Sequence, residues 1–253
     1  MPGPSVTYLG GPTVLLEYAG LTILTDPTFD EPQVYPDPGG TPLEKTRGPA
    51  LGVAALPPVH LVLLSHHEHE DNLDSSGLEL VRSGIPTLTT PAAATDLALS
   101  NVRGLAAWEV AERRGLRVTA VPALHGPGDI VGPVTGFLLE APGEPSVYVS
   151  GDNSEIDAVV EIAARHAPVG LAVLFAGAAR VPAIDAALTL TAEDAVAATR
   201  ILGARAVVGV HCEDWAHFSE SRADLEAAFA ADGIADLLAA TPRGVRVSLL
   251  GGE

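Results

Sequence analysis

Positive charge is scarce in this sequence. Its 14 Lys and Arg stand against 32 Asp and Glu, a net charge of −18, and Lys45 is the only lysine. Such a field repels nucleic acid and anionic lipid, so neither is an expected partner, and an anionic substrate would need a local cation. Cysteine is nearly absent too. Cys212 stands alone, which excludes an intrachain disulfide and a stapled secreted scaffold. No apolar run approaches the ~20 residues of a membrane span, and Met1-Pro2-Gly3-Pro4 shows no basic segment leading into an apolar one. The expectation is a soluble cytoplasmic protein with a small-molecule substrate and no membrane association; oligomeric state is left open. What is abundant is apolar residue, 47% of 253, enough for a sizeable core in one domain spanning residues 1–253.

The first third predicts strands at residues 6–9, 13–18 and 21–25, short aliphatic or β-branched runs punctuated by Gly10-Gly11-Pro12 and Ala19-Gly20. The third run ends in Asp26-Pro27. Residues 30–50 are dense in Pro and Gly without period, which predicts a long surface loop of the kind more often functional than not. An apolar strand at 59–64 runs straight into His66-His67-Glu68-His69-Glu70-Asp71-Asn72. Helices are expected at 73–83 and 91–100, and strands at 117–121, 134–140 and 146–150. The last third alternates helix 155–165, strand 171–175, helix 192–202 opened by Thr191, strand 206–210, a helix capped by Ser221 and a strand at 245–250.

Strand ends therefore place Asp26, the His67, His69 and Asp71 group, His125, Asp152 and His211 in loops, and strand ends gather at one edge of a sheet. A cation such as Zn²⁺ takes three or four imidazole and carboxylate groups at roughly 2.0–2.2 Å. In an extended segment His67 and His69 point the same way and reach one ion. On that register His66 is structural, and Glu68 and Glu70 point away into solvent.

The string His67-Glu68-His69-Glu70-Asp71 resembles the H-x-H-x-D-H signature of metallo-β-lactamase-fold hydrolases, with Asn72 in the last place. The flanking Leu63-Leu64-Ser65 and Leu73-Asp74 are similar to the branch with L-ascorbate-6-phosphate lactonase and N-acyl phosphatidylethanolamine phospholipases. Asp26-Pro27, His125, Gly151-Asp152 and His211 follow in the family's order, so the resemblance covers nearly the whole chain. It implies a four-layer αββα sandwich of the α/β class. It also implies one metal at His67, His69 and His125 and a second at Asp71, Asp152 and His211, with Asp152 bridging. Asn72 replaces an imidazole by an uncharged amide, which weakens the second site. Zn²⁺ is expected at one or both sites, with Mn²⁺ or Fe²⁺ as alternatives at the second. Asp26 is expected behind the ligands, orienting them.

The implied activity is hydrolysis, in which a metal-bound hydroxide attacks a small ester, lactone, amide or phosphodiester. Asp71 is the candidate general base or water positioner. His217, in a Trp-x-His-Phe string that also resembles this branch, either contacts substrate and donates a proton or is hydrogen-bonded beside core aromatics. The loop carrying Tyr35, Lys45 and Arg47 could fold over the site and hold an anionic group, or remain solvated. An iron-dependent oxidoreductase and a non-catalytic metal-binding protein are the competing readings. The first is disfavoured because Asn72 removes an imidazole, the second because the remaining ligand set is intact.

Overall fold

The computed structural model describes residues 3–36, 41–128 and 132–251. The first strands form the expected antiparallel meander: β1 (Ser5–Gly10), β2 (Thr13–Tyr18) and β3 (Leu21–Thr25). Within the Pro- and Gly-rich stretch after β3 lies a small hairpin, β4 (Gln33–Tyr35) and β5 (Leu43–Lys45), where the sequence predicts only loop; residues 37–40 of that loop lie outside the described residues. Strands this short carry no readable period, and distant partners hold them. Lys45 bridges to Trp215, and the Ala216 N–H donates to Glu44 O.

The apolar run before the histidines becomes β6 (Leu61–Leu63), parallel to β3. Helix α1 (Ser75–Arg82) follows, capped by Asp74, whose side chain accepts from the Gly77 N–H. Strand β7 (Thr87–Thr89), helix α2 (Pro91–Leu97) with Thr90 as its cap, and strand β8 (Val102–Gly104) complete this half. The second half contributes β9 (Val110–Arg113), β10 (Leu116–Pro122), β11 (Thr135–Glu140) and β12 (Val147–Val149). Helix α3 (Ile156–His166), β13 (Leu171–Phe175), helix α4 (Ala192–Leu202), β14 (Ala206–Val210) and helix α5 (Arg222–Ala231) then alternate. Reciprocal capping boxes, Thr191 with Asp194 and Ser221 with Asp224, open α4 and α5. The last strand, β15 (Arg246–Ser248), returns to pair with β1.

Seven strands form one sheet in the order β15-β1-β2-β3-β6-β7-β8, and six form another in the order β14-β13-β12-β11-β10-β9. Side-chain alternation sorts the core. Leu16, Ile23 and Leu63 of the first sheet pack with Phe137, Val173 and Phe175 of the second. The intervening residues face outward. Leu138, Tyr148 and Leu174 meet Ile162, Leu202 and Phe229 of α3, α4 and α5, while Leu24, Val62 and Leu64 lie with Val81 of α1. This is helix on sheet, sheet on sheet, and sheet on helix, the expected αββα order. Each fully buried Leu or Phe in it contributes roughly 1.5–3 kcal/mol.

The two sheets are stitched where the metal-binding residue types emerge. The Thr135 N–H donates to Ser65 O at 3.1 Å, and the His211 N–H donates to Gly11 O at 2.8 Å.

Candidate metal centre

The segment after β6 does not continue as a strand. It bends at residues 67–69 and then turns, the N–H groups of Asn72 and Leu73 both donating to His69 O. This reverses the expected register. His66, not His67, stands beside His69, with His66 Nε2 2.9 Å from His69 Nδ1. His125, delivered beyond the end of β10, completes the group, its ring centroid 5.2 Å from that of His66 and 5.3 Å from that of His69. The expected ligand His67 lies apart, its ring nitrogens 3.2 Å from Glu68 Oε2 and 3.4 Å from Asp96 Oδ2.

The outer nitrogens of two of these imidazoles are tied. His125 Nδ1 lies 2.7 Å from Leu188 O, which only accepts, so that nitrogen carries the proton and Nε2 keeps its lone pair. Ser65 Oγ, 3.0 Å from His66 Nδ1, gives its own proton to Asp26 Oδ1 at 2.8 Å, so His66 Nδ1 donates and Nε2 is again the free nitrogen. Burial pushes the His66 imidazole down to about 3, which keeps it neutral, and burial also lowers His125.

A second group, Asp71, Asp152 and His211, is buried beside the first. His125 Nε2 to Asp152 Oδ2, 3.7 Å, joins the two. His211 Nε2 is 3.2 Å from Asp71 Oδ2, and His211 Nδ1 is 3.2 Å from Asp152 Oδ1. Burial disfavours the charged His211 imidazolium, but the two carboxylates outweigh it and raise the group to about 10. Burial likewise opposes ionisation of Asp71 and Asp152, yet the imidazoles of His211 and His217 beside Asp71, and that of His211 beside Asp152, hold both below the usual carboxylate range.

Backbone strain accompanies these positions. Asp26 and His211 adopt φ of 27° and 55° although neither is glycine. Gly151, just before Asp152, combines φ 58° with a tight approach, since a Cβ there would meet Thr135 O at 2.6 Å and Ser65 Cβ at 2.8 Å. Asp26 lies behind the site, its Oδ1 accepting from both the N–H and the Oγ–H of Ser65, and burial raises its carboxyl to about 8 against those bonds. Asn72 Nδ2 donates to Asp152 Oδ1 at 3.1 Å, so the amide braces that carboxylate.

The donor set fits a divalent cation. Asp71 Oδ1, Asp152 Oδ2, Asn72 Oδ1 and both ring nitrogens of His211 are buried without a hydrogen-bond partner, a cost that ligation would remove. The first group is all imidazole and suits zinc; the second is richer in oxygen.

Both groups meet a cavity of about 570 Å³, a size that suits a small molecule. His69, Asp71, His125 and His217 form its polar floor. His217 Nε2 is 3.1 Å from Asp71 Oδ2. Glu68 and Glu70, expected to point away, line this cavity instead. Tyr35 reaches it from the β4–β5 hairpin and stacks on Trp215 with centroids 5.6 Å apart. Lys45 does not reach it. Its Nζ is buried 2.9 Å from Asp74 Oδ2, under the start of α1, so it is closed to anionic groups; Arg47 is exposed and does not line the cavity. Among the described residues no helix is long and apolar enough to cross a membrane.

Comparison with known proteins agrees with this architecture. An uncharacterized protein of Mycobacterium tuberculosis is 28% identical over 192 residues, which cover 69% of this chain and 49% of the relative, so the chain spans about half the length of that protein. The isothiocyanate hydrolase from Delia radicum gut bacteria superposes with a TM-score of 0.85 at 22% identity, covering 97% of this chain and 98% of the other. CmlA, a diiron β-hydroxylase from Streptomyces venezuelae, does so with a TM-score of 0.63 at 19% identity, covering 83% of this chain and 45% of the other. The model of the beta-lactamase superfamily domain matches residues 22–212, from β3 to the residue after His211. With the two sheets, the flanking helices and the ligand-bearing edge all inside or adjoining that match, the chain belongs to the beta-lactamase superfamily and has the fold of its metal-dependent hydrolases.

Proposed function

We propose that the chain is a metal-dependent hydrolase of a small organic substrate. Zinc is held by His66, His69 and His125, and a second divalent cation, Zn²⁺, Mn²⁺ or Fe²⁺, by Asp71, Asp152 and His211. One observation carries the reading: two adjoining sets of buried donors, several without a partner, open into one cavity of small-molecule size. An isothiocyanate hydrolase with the same fold supports attack of water on an electrophilic carbon as the reaction class. When bound, the cations supply Lewis acidity, which acidifies water and offsets the charge developing on the substrate.

The chain's own residues orient and move protons. Leu188 O and Ser65 Oγ fix the rings of His125 and His66. Asp71, kept ionised by its two imidazole neighbours, is a poor proton acceptor, so its part is to hold a cation and to orient His217. His217 Nε2, on the cavity floor, holds a proton there and passes it to the leaving group as the bond to carbon breaks.

Metal content per chain, measured by mass spectrometry on protein purified without chelator, tests the reading together with turnover of a neutral activated ester. One or two zinc ions and hydrolysis lost in His217→Ala with zinc retained are expected. Bound iron in place of zinc would favour the oxidoreductase reading, and no metal after incubation with zinc would favour a non-catalytic protein.

A further inference from the structure

Resting on the hydrolase reading, the lining of the cavity narrows the substrate. We infer that it takes a molecule whose reactive group lies over the histidine floor and whose remainder is uncharged and apolar.

One wall is aliphatic: Val181, Ile184 and Leu188 from the segment between β13 and α4 face the cavity, as does Leu43 from the hairpin. Tyr35 adds ring rather than hydroxyl, since its phenol is spent on Asp30 Oδ2 at 2.9 Å. The charged groups outside the floor are Glu68 and Glu70, and no lysine or arginine is among the described lining residues. Lys45 is consumed by Asp74, and Arg180, set between two lining residues, is exposed and does not line the cavity. A phosphate, sulfate or carboxylate on the part of the substrate away from the floor would thus meet apolar carbon or like charge, with no counter-ion to replace its hydration. This disfavours substrates that carry a charged group away from the atoms that react. A chain of several methylenes, by contrast, gains affinity from every carbon laid on Val181, Ile184 and Leu43.

The test is calorimetric titration of the zinc-loaded full chain with three amides: hexanamide, acetamide, and hexanamide carrying a terminal sulfonate, a weak zinc ligand. Hexanamide is expected to bind about tenfold or more tighter than either of the others, a difference of about 1.4 kcal/mol or more. Ile184→Lys, checked for folding by circular dichroism, should reverse the order of hexanamide and its sulfonate. Leu43→Lys makes the same test from the hairpin should the first variant not fold. Equal or tighter binding of the sulfonate or of acetamide to the unmodified chain, no measurable hexanamide binding, or an order unchanged in the folded lysine variant would overturn the inference. Affinity is read here without turnover. Hydrolysis absent with the affinity order intact would therefore count against the hydrolase reading alone, and hydrolysis present with the order reversed against the substrate class alone.

Discussion

The Asp26 carboxyl group and the His66 imidazole are joined by a single hydroxyl: Ser65 Oγ lies 2.8 Å from Asp26 Oδ1 and 3.0 Å from His66 Nδ1. The carboxyl group never touches a ring, yet its Oδ1, by taking the Ser65 proton, decides which nitrogen of His66 faces the cluster. Ser65→Ala and Asp26→Ala are each expected to weaken zinc binding about 10–100-fold. Because both act along one chain of contacts, the double variant should be little worse than either single. Competition with a chromophoric chelator measures all three, and additive losses would mean that the two residues act separately.

The turn after β6 makes His66 and His67 unequal. His66→Ala should abolish tight zinc binding at the imidazole site, while His67→Ala should leave metal content unchanged, since His67 faces Glu68 and Asp96. Metal analysis of both variants after gel filtration would expose the opposite pattern at once.

Lys45 and Asp74 form a buried ion pair, with side chains 3% and 0% exposed. Removing one partner strands the other, so Lys45→Met should cost about 3–5 kcal/mol in urea unfolding. Lys45→Met with Asp74→Asn should recover much of that loss, because the amide oxygen still caps α1. A single variant as stable as the parent would show that the pair is structurally idle.

All four tyrosines are buried or hydrogen-bonded enough to resist ionisation. Burial is the largest cause in each; it raises Tyr18 to about 12, and Tyr8, Tyr35 and Tyr148 also lie above their ordinary value of about 10. In the unfolded chain they ionise near 10, so the contribution to stability is fully present below that pH and is lost as pH rises toward 12. Phenolate absorbance should stay flat through pH 10 and then rise together with loss of the circular dichroism signal. A separate native titration near 10 would contradict this packing.

Much of the architecture was legible because local and tertiary signals agree. Strand β13 is continuous apolar sequence between a helix and a Gly-containing turn, and α4 carries its start in Thr191 and Asp194 and its stop in Gly203. The hairpin was not legible, because its three-residue strands exist through Trp215 and Asp214, far along the chain. The histidine cluster was legible in composition and wrong in phase. Alternation assigns His67 to His69 only while the chain is extended, and the bends at residues 67–69 cancel that assumption. The i,i+3 spacing of His66 and His69 was the signal available in the sequence. The cavity wall between β13 and α4 gave no signal, because Val181, Ile184 and Leu188 sit on irregular backbone with no period.

The site draws on positions from Asp26 to His211 and on both sheets, so no contiguous fragment of the chain carries it. During synthesis the imidazoles of His66 and His69 emerge long before β14 exists to present His211, and the carboxylates that belong beside it wait unpaired. On the proposed reading, capture of a second cation would therefore be a late event, and its retention would mark a chain whose β14 has docked. A truncated or misfolded copy is correspondingly expected to be empty at that position, which separates finished molecules from unfinished ones by metal content alone.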